Sequence, residues 1–166
     1  MNKPMKLVPG LYYTLTVGDV ELKARCYVNK DYHLTNSDDY DPNKDYSEIG
    51  FGFNIADGGG FLPASELKEG SVVSLDFGQA VEAMKMGFKV SRTAWNGSGM
   101  FAYYVQGGSY PARMDAIKGF FPDDMVPYLP YFALRTFKNC VTAWVPSPVD
   151  VLTSDWFILE LGGDLS

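Results

Sequence analysis

Apolar and polar positions change rhythm along this chain near residue 75. Before it, short alternating runs dominate. "LYYTLTV" and "VELKARCYV", separated by Gly18-Asp19, predict a β-hairpin, and "SEIGFGFNI" predicts a further strand. The polar "NKDYHLTNSDDYDPNKDYS" between them is expected to form a long exposed loop. "ADGGGFLPASELKEGSVV" interrupts the alternation with three glycines, a proline and charges, which sets a module boundary near Gly70 to Ser74. Beyond it a helical period takes over. Phe77, Ala80, Val81 and Met84 fall at i, i+3, i+4 and i+7, with Asp76 and Gln79 placed to cap the start and Gly87 to end the helix in a left-handed turn. Strands are expected in "FKVSRTAW", "MFAYYVQ", "YFALRTF" and "VTAWVPS". A short helix opened by Ser147, Pro148 and Asp150 and a closing strand in "WFILEL" follow. The expected fold is α+β: one long helix packed on an antiparallel sheet over residues 73–166, preceded by a small β-rich module over 1–72.

Composition narrows the function. At 166 residues and 46% hydrophobic content the chain can furnish a real core. Its 14 basic against 20 acidic residues, a formal charge of -6, argue against a surface that holds a long nucleic acid by its phosphates. A small anionic ligand stays open, because a few well-placed donors override the global sign inside a pocket. Cys26 and Cys140 match no metal-ligand spacing and are expected to be reduced, buried thiols. No apolar run approaches the ~20 residues of a membrane helix, and "MNKPMKLVPG" has no signal-peptide core, so the cytosol is the expected compartment.

Catalytic chemistry finds little support. The EF-hand spacing counted from Asp39 fails at Lys44 and Gly50, and the GGG run matches neither phosphate-loop pattern, so no metal and no cofactor are expected. His33, the single histidine, lies in the polar loop without a nucleophile beside it and is expected to be a solvated imidazole. Asp123-Asp124 in "FFPDDMVP" are ordinary turn residues. The chain is therefore expected not to be an enzyme.

Binding is better supported. Trp95, Trp144 and Trp156 all fall after residue 75, together with Tyr103, Tyr104, Tyr110, Tyr128 and Tyr131. Rings in this number serve first as core. Trp95 stands apart, because it borders "NGSG", where a plain hairpin turn needs no indole. Glycines let a ligand approach the main chain, and an indole face stacks on a base for roughly 1–3 kcal/mol. Arg92, Arg113 and Arg135 are candidates for phosphate, with Arg92 best placed three residues before Trp95.

The succession "DFGQAVEAMKMGFKVSRTAWNG", "MFAYYV", "PYFALRT" and "VTAWVPSPVDVLTSDW" resembles the second type of Thoeris anti-defence protein, a small phage domain, over about Leu75 to Leu159. The resemblance implies a homotetrameric sponge in the host cytoplasm. Such a protein binds cyclic ADP-ribose isomers, and in some members cyclic dinucleotides, without cleaving them, so that the immune effector stays silent. It implies ligand contacts at Arg92, Trp95, Asn96, Gly97, Trp144, Ser147 and Asp150, with Pro146, Asp155 and Trp156 also matching, and Tyr103 is added as an aromatic ligand contact. Trp95 would stack a base, Asn96 and the Gly97 backbone would bond base or ribose, and Arg92 would neutralise phosphate. For Ser147 and Asp150, helix capping and ligand contact both stay open. The preceding residues resemble nothing recognised, which leaves as the rival reading a virion structural or interaction protein that uses the β-rich module as its contact surface.

Overall fold

The computed structural model describes residues 6–36, 38, 40–55, 58–69, 71–95 and 99–159. The alternating N-terminal text folds into β1 (Tyr12–Val17) and β2 (Val20–Val28), joined at Gly18, whose φ of 60° a glycine adopts without strain. Then come α1 (Asn29–Asn36), β3 (Ile49–Ile55), β4 (Gly58–Pro63) and β5 (Val72–Ser74). The strands form one antiparallel sheet in the order β4-β3-β2-β1-β5. Its inner face carries Tyr13, Leu15, Ala24, Cys26 and Phe51, all buried.

The second half contains α2 (Phe77–Lys85), β6 (Val90–Arg92), β7 (Phe101–Val105), β8 (Gly108–Pro111), β9 (Met125–Tyr128), β10 (Tyr131–Arg135), β11 (Val141–Ala143), α3 (Pro148–Leu152) and β12 (Trp156–Ile158). Five of these strands make a second sheet, β11-β10-β7-β6-β12, and β8 with β9 makes a separate two-stranded ribbon. Ala80, Ala83 and Met84 of α2 are fully buried. They join one continuous core that takes Tyr13, Leu15 and Phe51 from the first sheet and Val90, Ala102, Trp156 and Ile158 from the second. Two alanines on one face let the helix lie close to its neighbours, and methionine fills the remaining gap.

The expected long helix is corrected. Among the described residues twelve strands in three sheets dominate, and α2 has only nine residues. Its apolar spacing covers two turns and stops where Gly87 (φ 92°) turns the chain away. The caps are as read: Asp76 accepts from the Gln79 N–H at 2.8 Å, and the Gln79 side chain accepts from the Asp76 N–H at 2.9 Å.

Three further expectations are corrected. Residues 29–36, read as loop, are helical because Tyr32 is buried against the first sheet. A Cβ on Gly52 would stand 2.6 Å from its ring, so the bare glycine makes the seat. His33 is half-buried against Tyr46, with ring centroids 4.8 Å apart, rather than solvated. Cys26 is buried as expected, but Cys140 is exposed. At the junction of the two sheets β5 pairs with β1, and the next residue, Leu75, bridges Trp156 of β12.

Candidate functional site

Sheet register places the site's first member. Arg92, the last residue of β6, lies opposite Trp156 at the start of β12, so the chain leaving β6 runs beside the turn that enters β12. Just before that turn lies α3, capped by Ser147. Its Oγ accepts from the Asp150 N–H at 3.2 Å, while Asp150 Oδ2 accepts from the Ser147 N–H at 2.9 Å and from its hydroxyl at 2.7 Å. The other Asp150 oxygen, Oδ1, accepts from Arg92 Nη1 at 2.7 Å and from the Trp95 indole Nε1 at 3.2 Å. The Asp150 main-chain carbonyl accepts from Trp156 Nε1 at 3.1 Å. One short helix start thus fixes an arginine and two indoles.

Asp155 closes the other side of the guanidinium. Its Oδ1 accepts from Arg92 Nε and from the Thr153 hydroxyl, both at 2.8 Å. Its Oδ2 accepts from the Ala94 N–H at 3.0 Å and the Thr93 hydroxyl at 3.1 Å. Burial alone would raise this carboxyl, but the bonds from Arg92, Thr153, Ala94 and Thr93 outweigh it and bring the pKa down to about 2. Asp150 is lowered too: burial opposes, and the bonds from Ser147, Arg92 and Trp95 prevail. Arg92 is only 8% exposed and Asp150 only 7%. The same two carboxylates hold the arginine's charge in place.

The tryptophans meet beside this network. Trp95 stands edge to face against Trp144 (centroids 5.9 Å, interplanar 87°) and Trp156 (5.3 Å, 77°), and Trp144 meets Trp156 at 5.8 Å. Phe77, the first residue of α2, packs on both Trp144 and Trp156. Trp156 is entirely buried, whereas Trp95 and Trp144 remain partly open to solvent. Phe77 also borders an open cleft of about 490 Å³ between Thr14 and Glu21 of the first sheet and Val151–Ser154 at the end of α3.

The structure therefore brings together Arg92, Trp95, Trp144, Ser147 and Asp150 of the residues singled out in the sequence. Asn96 and Gly97 lie outside the described residues. Tyr103 does not join them. Ala102 and Tyr104 face the helix side of the second sheet, so Tyr103, between them in β7, points to the opposite face beside Phe101. Ser147 and Asp150 fulfil the capping reading. Arg92 departs from its expected role: with Nε and Nη1 both given to carboxylates, it is an internal counter-charge rather than a guanidinium held out to phosphate. Asp155 had no assigned role in the sequence, and Thr93 and Thr153 were missed. A threonine two residues before an aspartate, T-S-D, was the one local signal available.

Among the described residues no group of three or more His, Cys, Asp or Glu side chains is placed to hold a metal ion, and no helix is long and apolar enough to cross a membrane. Residues 75–159 match the family model described as the Thoeris anti-defense 2-like domain. A curated relative named "Thoeris anti-defense 2", from Bacillus phage SP01, is 35% identical over 92 residues, covering 52% of this chain and 96% of the relative. The matched stretch contains the whole Arg92–Trp95–Ser147–Asp150–Asp155 network, and the chain belongs to the Thoeris anti-defense 2-like domain family.

Proposed function

We propose that this protein is a phage anti-defence sponge acting in the host cytoplasm. It holds a cyclic nucleotide immune signal, a cyclic ADP-ribose isomer or a cyclic dinucleotide, without cleaving it. The single observation that carries the reading is the state of Trp95. Its Nε1 is tied to Asp150, its ring is braced by two further indoles, and it remains partly open at the residue that precedes Asn96-Gly97. A ring fixed in this way loses little freedom when a flat heterocycle stacks on it, which favours tight binding and slow release. Sequestration needs no transition-state complementarity, and the buried charges here are spent on one another. The ligand's phosphates are then met by groups other than Arg92, in a pocket shared between subunits of a homo-oligomer. Family membership supports the anti-defence role, and the relative's name speaks of the same defence system.

Native mass spectrometry of the protein mixed with cyclic ADP-ribose isomers and cyclic dinucleotides tests the reading, followed by heat denaturation to release what was bound. An intact ligand is expected. Fragments would make the protein a hydrolase, and no bound ligand from the whole panel would end the proposal. Trp95→Ala should weaken binding roughly 5- to 150-fold, the equivalent of one lost base stack.

A further inference from the structure

Two cations meet at one ring on the outer face of the second sheet. Lys89 leads into β6, where its carbonyl accepts from the Leu159 N–H at 2.9 Å, and Arg135 ends β10. Sheet register sets them on a common face. Val90 pairs with Ala102, and both lie in the core with Leu134 packed against it, so strand alternation turns Lys89, Phe101, Tyr103, Ala133 and Arg135 the other way. Phe101 stands opposite Arg135, and Tyr103 opposite Ala133. The Lys89 ammonium lies 5.3 Å from the Phe101 ring centroid and the Arg135 guanidinium 5.7 Å from the same centroid. Among the described residues, Phe101 is the one ring that two cations approach.

Neither charge is neutralised. Lys23, Lys85, Arg92 and Lys118 each pair with a carboxylate, whereas Lys89 and Arg135 pair with none among the described residues. Arg135 gives Nε to Asn139 Oδ1 at 3.0 Å and Nη1 to the Gly99 carbonyl, both neutral acceptors. These bonds aim the guanidinium without cancelling its charge, and they leave Nη2 uncommitted. One cation gains modestly from the face of a ring, but two like charges gathered at the same ring repel each other. An anion lying against both reverses that cost. In a chain of charge -6 this patch is a local exception to the global sign. The neighbouring side chains suit phosphate oxygens. The Tyr103 ring lies 5.9 Å from Phe101, and its hydroxyl makes no hydrogen bond among the described residues, so one more donor is free. Ala133, opposite Tyr103, adds only a methyl group and keeps the floor of the patch low.

We propose that Lys89, Arg135 and the Tyr103 hydroxyl form a binding site for a compact phosphate anion carrying two or more negative charges. The site goes beyond the proposed function, because it lies on the sheet face away from Trp95. Isothermal titration calorimetry with inorganic pyrophosphate tests it on the full chain and on Lys89→Gln, Arg135→Gln and Trp95→Ala. The wild type should bind, Lys89→Gln and Arg135→Gln should each weaken binding roughly tenfold or more, and Trp95→Ala should leave it unchanged. No heat from the wild type, or undiminished affinity in Lys89→Gln, overturns the proposal. Loss of pyrophosphate binding in Trp95→Ala would move the anion to the tryptophan cluster and overturns it as well. If a variant misfolds, as near-ultraviolet circular dichroism would show, lysine acylation of the wild type decides. Pyrophosphate should then protect Lys89 and not Lys85 or Lys118, which already pair with carboxylates, and equal labelling of Lys89 with and without the anion overturns the site. Titrating Lys89→Gln with the cyclic nucleotide panel keeps the two claims apart. It should bind the panel as the wild type does. A protein that takes up pyrophosphate but no cyclic nucleotide refutes only the sponge, and the reverse refutes only this site.

Discussion

Asp150→Asn probes the site at its hub, since the change keeps shape and removes only charge and two acceptor positions. In the native site Oδ1 serves Arg92 and Trp95, and Oδ2 serves the Ser147 N–H and hydroxyl. An asparagine can keep one side through its carbonyl oxygen. Its amide then either faces the Ser147 N–H, donor against donor, or faces the guanidinium and the indole N–H. The cap lost on the first side costs about 1 kcal/mol. Removing one partner of a buried ion pair costs about 3–5 kcal/mol, reduced here because Asp155 still neutralises Arg92. Together these give about 2–4 kcal/mol, a fall in Tm of roughly 4–16 °C for a domain of this size. Differential scanning calorimetry measures it, with Ser147→Ala as the control that removes only the hydroxyl's share of the cap. If Asp150→Asn costs no more than Ser147→Ala, the carboxylate is not what holds Arg92 and Trp95, and the reasoning about the site fails.

Acid should act on the same corner. The folded pKa of Asp155 lies below its unfolded value, so its stabilisation is present above about pH 4 and is lost as pH falls towards about 2. Thermal unfolding followed from pH 5 to pH 2 should show that loss, and Asp155→Asn should flatten it. Gly52→Ala should destabilise by about 1–3 kcal/mol, because its Cβ would stand 2.6 Å from the Tyr32 ring; urea denaturation checks this. Of the two thiols, exposed Cys140 should react at once with a disulfide reagent. Cys26, buried and with its thiol pushed up to about 12, should react only after unfolding, so a native titration should count one fast thiol.

What the sequence disclosed was local chemistry. The two capping boxes at Asp76 and Ser147, and the turn at Gly87, depend on residues within four positions of one another and formed as read. What it hid depends on distance along the chain. Arg92 looked available because its two carboxylates lie 58 and 63 residues away. α1 has no apolar period to announce it and exists because Tyr32 finds a glycine in β3. The glycine run read as a break became β4, paired along its length with β3, where the Phe53 ring covers the space a Cβ on Gly60 would need. Tyr103 is a different case. Strand alternation around Ala102 sets it on the face of β7 away from Trp95.

The residues before the family match are structurally bound to it. The matched stretch begins at Leu75, yet the core around Met84 and Trp156 is completed by Tyr13, Leu15, Ala24, Cys26 and Phe51. Thr14 and Lys23 of the first sheet reach Gln79 and Asp76 at the start of α2, Lys23 through an ion pair at 2.7 Å. That pair is largely exposed and adds little energy, so the apolar contact does most of the joining. Without the first sheet, Leu75, Ala80, Ala83 and Met84 would lose the partners on one side of α2. The N-terminal sheet therefore serves first as the other half of this core. An open cleft lies where Thr14 and Glu21 approach Phe77 and the end of α3. That cleft is one residue removed from the tryptophan cluster, since Phe77 lines it and touches both Trp144 and Trp156.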